Sequence, residues 1–282
     1  MGEFRQNIKA IIANVANVVL DKTHVIKLAL TSVLAGGHVL MEDVPGVAKT
    51  VLVKALSVST GCKFSRIQCT PDLLPSDISG VSVYNQKTQE FEFRPGPVFS
   101  QMIVADEINR ATPRTQSALL EAMAEGQVSV DGRTYRLEQP FIVFATQNPV
   151  EHEGTFPLPE AQLDRFMMRL SMGYPSLIAE ADMLERLRLA HPLDSLAPVT
   201  DAGAVRRMQT AVREITIHEK VREYILQLVA RTRDSTHLTL GASPRASLNP
   251  ESRLRRVTTS SVLRDIISQV SIPASGWNAR TG

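Results

Sequence analysis

GHVLMEDVPGVAKTVLVKALSVSTG, residues 37–61, joins three segments of different character. GHVLMED (37–43) reads as a short buried strand, VPGVAKT (44–50) as a turn, and VLVKALSVSTG (51–61) as a helix closed by Gly61. A strand, a glycine-bearing turn and a helix in this order make a phosphate-binding unit, because loop N–H groups and a helix N-terminus converge on one anion. Against the pattern of Gly, four residues, Gly, Lys and Ser or Thr stand Asp43, Val44, Pro45, Gly46, Val47, Ala48, Lys49 and Thr50. Both outer glycine positions are therefore substituted, and only Gly46 keeps the loop flexible. With Val51, these residues form the candidate nucleotide-binding loop, in which Lys49 suits the β/γ-phosphate oxygens and Thr50 suits Mg²⁺. Ala48 adds a Cβ where such a loop needs positive φ or close phosphate approach, at a cost of about 1 kcal/mol or more.

On either side the pattern continues. Phe4, Ile8, Ile11, Ile12, Val15, Val18 and Val19 recur at helical spacing and predict an N-terminal helix with one buried face. Residues 62–69 (CKFSRIQC) and 101–107 (QMIVADE) read as strands, as does the apolar run PFIVFATQNP (140–149). Period-two alternation around NQKTQ predicts a hairpin over 79–99, and the Asp131-Gly132 pair predicts another over 126–138. PRTQSALLEAMAE (113–125) predicts a helix opened by Pro113. The fold class is α/β, a parallel sheet flanked by helices, with ligands outside the strand C-terminal ends. At GYPS (173–176) the chain turns to helical segments, which predicts an α/β domain over 1–172 and a smaller α-helical domain over 173–282.

The chain has 282 residues and is 43% hydrophobic, with 31 Lys and Arg against 29 Asp and Glu, so its net charge of +2 provides no global attraction for nucleic acid or acidic lipid. No apolar run nears the roughly 20 residues of a spanning helix, and the N-terminus lacks a secretory pattern, so a cytoplasmic location is expected. Cys62 and Cys69 are too few for a disulfide framework and predict buried thiols.

Two further strand ends carry chemistry. IVADE presents Asp106 and Glu107, one suited to organising Mg²⁺ and the other to activating water. ATQNP places Gln147 and Asn148 where an amide can position that water. Taken together, EDVPGVAKT, ADEINRATPRTQSALLEAMAEGQVSVDG, FATQNPVEHEGTFPLPEAQLDRF and GASPRAS resemble the MoxR family of AAA+ ATPases, in order from about residue 37 to 248. The resemblance implies an AAA+ P-loop domain with a helical lid, binding ATP and Mg²⁺. It implies Lys49 and Thr50 as the Walker A pair, Thr50 and Asp106 on the metal, Glu107 as the Walker B glutamate and Asn148 as sensor 1. Arg165 falls at the arginine finger, reaching a neighbouring subunit, and Arg245 at sensor 2. It also implies a ring hexamer with chaperone-like action, working with von Willebrand factor A domain proteins on client complexes, the two hairpins facing a pore or client.

After GASPRASL the tail departs from the family, bringing Pro250 and the basic Arg253, Arg255 and Arg256 in place of an apolar helix. The leading expectation is a Mg²⁺-dependent ATP hydrolase that remodels protein complexes. Ala48 and the tail motivate an alternative, a nucleotide-binding regulatory subunit with weak hydrolysis. A DNA motor of the related helicase clade is disfavoured by the near-zero charge and the 5% aromatic content.

Overall fold

The structure is a computed structural model that describes residues 2–148, 154–188 and 192–234. Two helices, α1 (Gly2–Ala16) and α2 (Thr23–Ala35), precede strand β1 (His38–Glu42). Next come α3 (Lys49–Ser59), β2 (Phe64–Gln68), the short α4 (Pro75–Ser79) and the hairpin β3 (Gly80–Asn85) and β4 (Glu90–Pro95). β5 (Met102–Asp106) and α5 (Pro113–Glu125) lead to the hairpin β6 (Gln127–Val130) and β7 (Arg133–Arg136). β8 (Ile142–Gln147), α6 (Glu160–Leu163), β9 (Phe166–Leu170), α7 (Leu177–Leu187), α8 (Ala202–Arg213) and α9 (Glu219–Asp234) complete the described elements. β1, β2, β5, β8 and β9 form one sheet in the order β2-β5-β8-β1-β9, and its neighbouring strands are parallel.

Alternation along the central strands explains why they read as continuous apolar runs. Met102, Val104, Ile142, Phe144, Val39 and Met41 pack on one sheet face among residues of α1, α2 and α3. Ile103, Ala105, Val143, Ala145 and Leu40 pack on the other, among residues of α4 and α5. A strand buried on both faces has no polar side to show. Cys62 and Cys69 are buried as expected, and burial raises both thiols, Cys69 to about 12.

Several boundaries differ from the expectations. α1 stops at Ala16, leaving Val18 and Val19 buried in the turn that follows. α3 begins at Lys49, so Lys49 and Thr50 occupy its first turn. The first hairpin ends at Pro95, and Pro97–Phe99 forms a 3₁₀ turn. β9 was hidden because FMMRL is a single edge-side strand with no hairpin partner in sequence. The expected division at 172 marks a change in helix content, whereas packing groups Met1–Arg213 in one compact unit and Glu214–Gly282 in a second. α8 belongs to the first because Gln209 donates from the core to Val33 O at 2.7 Å. Within the second unit α9 is described, and Arg245 and the tail after 248 lie outside the described residues.

Two contacts fix what surrounds the strand ends. At the base of the first hairpin Gly80, at φ +94°, crosses Gly96 so closely that a Cβ on Gly96 would lie 2.3 Å from Ile78 O and 2.6 Å from Gly80 N. At the end of β1 the Asp43 carboxylate accepts from Ser171 Oγ (2.9 Å), Met172 N (2.6 Å), Gly173 N (2.7 Å) and Val44 N (3.0 Å). It thereby fastens the start of the phosphate loop to the end of β9. Burial opposes ionisation of Asp43, but the donors from Gly173, Ser171, Met172 and Val44 together outweigh it and hold the carboxyl below its usual range.

Gly96→Ala is expected to destabilise the protein by roughly 2 kcal/mol in urea unfolding, since backbone rather than a flexible side chain must move. For Asp43→Asn the deficit is pH-dependent. A depressed carboxyl pKa contributes stability that is complete above about pH 4 and is lost as pH falls through the folded-state value. The melting temperatures of variant and parent should therefore differ at neutral pH and converge in acid.

Candidate functional site

The sheet order brings three strand ends together. β5 ends in Asp106, β8 in Gln147, and β1 leads through Asp43 into the loop before α3, with β8 lying between β5 and β1. Outside these ends is a cavity of about 340 Å³. Pro45, Gly46, Ala48, Lys49, Thr50 and Val51 line it from the loop and α3, Asp106 and Glu107 from β5, Thr146 and Asn148 from β8, and Arg66 and Gln68 from β2. Of the loop residues named from sequence, Val44 and Val47 instead pack against the core and Asp43 turns its carboxylate to residues 171–173, just past β9.

The loop offers an anion site. Ala48, the residue capping α3, has φ 58° and ψ 27° and provides no side-chain cap, so the first-turn N–H groups are left for a ligand. This is the positive φ expected where a glycine is replaced. Lys49 Nζ donates to Asp43 O at 2.8 Å. Burial lowers the Lys49 pKa, with Asp43, Asp106 and Glu107 opposing, so the ammonium is poorly solvated and stands to gain from a phosphate.

Beside it lies a set of hard oxygen donors. Thr50 Oγ1 lies 3.2 and 3.4 Å from the Asp106 carboxylate oxygens, and Thr146 Oγ1 donates to Asp106 Oδ1 at 3.2 Å. A hydroxyl and a carboxylate side by side fit Mg²⁺, which uses few protein ligands and completes its shell with phosphate oxygens and water. Among the described residues no cluster of three or more His, Cys, Asp or Glu could hold a metal without such help.

Glu107 is held in an unusual backbone state, at φ 55° and ψ 50°. Its N–H donates to Thr146 Oγ1 at 2.9 Å, and its carboxylate pairs with Arg110 at 3.0 Å. The segment behind it is clamped by Gln116, whose buried amide donates to Ile108 O, Ala111 O and Phe156 O. A left-handed, non-glycine residue costs of order 1–3 kcal/mol and persists where its surroundings over-determine it. Ala48 and Glu107 both line the cavity, so two such residues lie within one site.

Asn148, buried, joins Thr146 at the end of β8. Arg165 does not line the cavity; its Nη1 donates to Leu120 O. Sequence reasoning missed Arg66, Gln68 and Thr146, which reach the cavity only through the strand order, and it gave no reason for the Gln116 clamp. The two hairpins meet through Phe93 and Tyr135, stacked at 4.3 Å between ring centroids, while Phe91 at the outer side of the first is 72% exposed. Among the described residues no helix is long and apolar enough to cross a membrane.

Residues 38–168 match the ATPase family associated with various cellular activities (AAA). The chain is 44% identical to the uncharacterized protein YeaC of Bacillus subtilis, covering 93% of each chain. It is 42% identical to chaperone MoxR1 of Mycobacterium tuberculosis, over 84% of this chain and 65% of that protein. A crystal structure of a Cytophaga hutchinsonii protein assigned to the ATPases superposes with a TM-score of 0.81 at 42% identity, over 88% of this chain and 78% of that one. Fold, strand-end chemistry and these likenesses converge, and the chain belongs to the MoxR family of AAA+ ATPases.

Proposed function

We propose that the chain hydrolyses ATP with Mg²⁺ and couples the cycle to remodelling of protein complexes. One observation carries the reading. Lys49, Thr50, Asp106, Glu107 and Asn148, contributed by three separate strand ends, line a single cavity. Lys49 would exchange the Asp43 carbonyl for β/γ-phosphate oxygens, and Thr50 and Asp106 would hold Mg²⁺. The metal's chemistry is to neutralise charge that develops on the transferred phosphoryl group. Glu107 would orient and deprotonate the attacking water once its carboxylate leaves Arg110, and Asn148 would fix that water's position. Arg165, away from its own cavity, suits action on the nucleotide of an adjacent protomer in a ring, in which Arg245 acts as sensor 2. The ring is proposed as a homo-hexamer working with a von Willebrand factor A domain protein on client complexes. The joined hairpins, with Phe91 exposed, are the surface proposed to meet that client.

A second reading, a nucleotide-binding regulatory subunit with weak hydrolysis, is favoured by one observation, the positive φ of Ala48 beside Lys49. A Cβ there strains the loop and narrows phosphate approach.

Phosphate release assays separate the two. The hydrolase reading expects Mg²⁺-dependent release that Glu107→Gln lowers at least about a hundredfold, the lower range for a lost acid–base group; release equal in parent and variant would remove it. Ala48→Gly is expected to raise stability by about 1 kcal/mol in denaturant unfolding as the left-handed strain is relieved. If the same substitution also turns an inactive parent into a turning-over enzyme, the regulatory reading is correct for the natural chain.

A further inference from the structure

The nucleotide cavity contains a cation that the roles above leave unused. Arg66 and Gln68 alternate along β2, so both point to the same face of the strand, and both line the cavity. In register, Gln68 lies opposite Asp106 on β5. Arg66 Nε lies 2.6 Å from Asp106 Oδ2, and its Nη2 donates to Gln68 Oε1 at 2.5 Å. Thr146 donates to the other oxygen, Oδ1, and Thr50 is shared between the two. The Asp106 side chain is 10% exposed while that of Arg66 is 53% exposed, so the guanidinium reaches a buried carboxylate from the solvent side.

A buried carboxylate needs a positive partner, because an uncompensated charge away from water is strongly destabilising. A divalent cation held through Asp106 is also such a partner, and it approaches the same carboxylate. Two cations then compete for one anion. Gln68 matters here because it holds the far side of the guanidinium, so Arg66 can release Asp106 without leaving the cavity wall.

We propose that Arg66 is a positioning residue that occupies the metal-facing carboxylate of Asp106 in the nucleotide-free protein and yields it to Mg²⁺, thereby setting the Mg²⁺ concentration at which nucleotide is taken up. The proposal rests on the metal–nucleotide reading of the cavity and deepens it. It makes uptake a charge exchange, in which the incoming metal replaces the guanidinium and the site never exposes a bare carboxylate.

The test is equilibrium binding of a fluorescent ADP analogue to the full chain at fixed concentration, titrated with Mg²⁺, which reads no turnover. Arg66→Met and Arg66→Gln, both neutral, are expected to lower the half-saturating Mg²⁺ concentration on the order of fivefold, the scale for a half-exposed ion pair. Arg66→Lys should return toward the parent value. Arg5→Met, which removes the same charge from an exposed position of α1, should match the parent. An unchanged requirement in both neutral variants would overturn the proposal, and so would a raised one, which would assign Arg66 to the phosphates. Using two neutral variants keeps the test decisive if one folds poorly, as circular dichroism would reveal. A parent that binds the analogue without regard to Mg²⁺ would overturn the metal reading itself, a result distinct from failure of Arg66 alone.

Discussion

In a parallel sheet every strand finishes at the same edge, and each C-terminal end must hand its chain to a loop that leaves the sheet. Placing β8 between β1 and β5 gathers three of those handovers side by side. Thr146 is the contact that turns proximity into a site. Its one hydroxyl accepts the Glu107 N–H and donates to Asp106, so β8 sets both the carboxylate of one residue and the backbone of the next. From there the network runs to Thr50 in the first turn of α3 and so to the phosphate loop. A cavity assembled this way is cross-bonded by side chains from neighbouring strand ends and tied at the start of its loop by Asp43.

The strain in the site has a distribution that follows from this. Glu107 is held in the left-handed region by bonds on both flanks, with Thr146 before it and the Gln116 clamp behind. The loop around Ala48 is tied at its start, where Asp43 is pinned to residues 171–173, and continues into α3 at its end. The general phosphate-loop pattern has glycine at position 48; here the same left-handed backbone is held by an alanine. The fastening by Asp43 and the strain at Ala48 belong to one short segment, and the first supplies part of what the second requires.

Much of this was legible in the sequence because the signals are local. Strand, turn and helix around Gly46 can be read from spacing, Pro113 opens α5 at the expected residue, and Asp131-Gly132 marks the second hairpin. Lys49 and Thr50 stand out from the loop pattern around Gly46, and Asp106, Glu107 and Asn148 because each follows an apolar run that must be buried. The features that escaped are those created by non-sequential neighbours. Arg66 looks like an ordinary charge in CKFSRIQC until β2 is laid beside β5. Asp43 reads as a substituted glycine until β9, a strand the pattern did not reveal, brings residues 171–173 to it. The packing boundary at 213 rather than 172 has the same origin, since the tie between Gln209 and Val33 spans most of the unit.

The crossing of Gly80 and Gly96 has a meaning for how such a molecule can diversify. Backbone meets backbone there with no room for a side chain, so both strands of the first hairpin start from one fixed crossing. Changes at the hairpin's outer end, where Tyr84 and Phe91 are exposed, lie beyond the ring contacts that Phe93 makes with Phe99 and Tyr135. The tip of the hairpin can thus change in length or charge without reaching the strands that build the cavity.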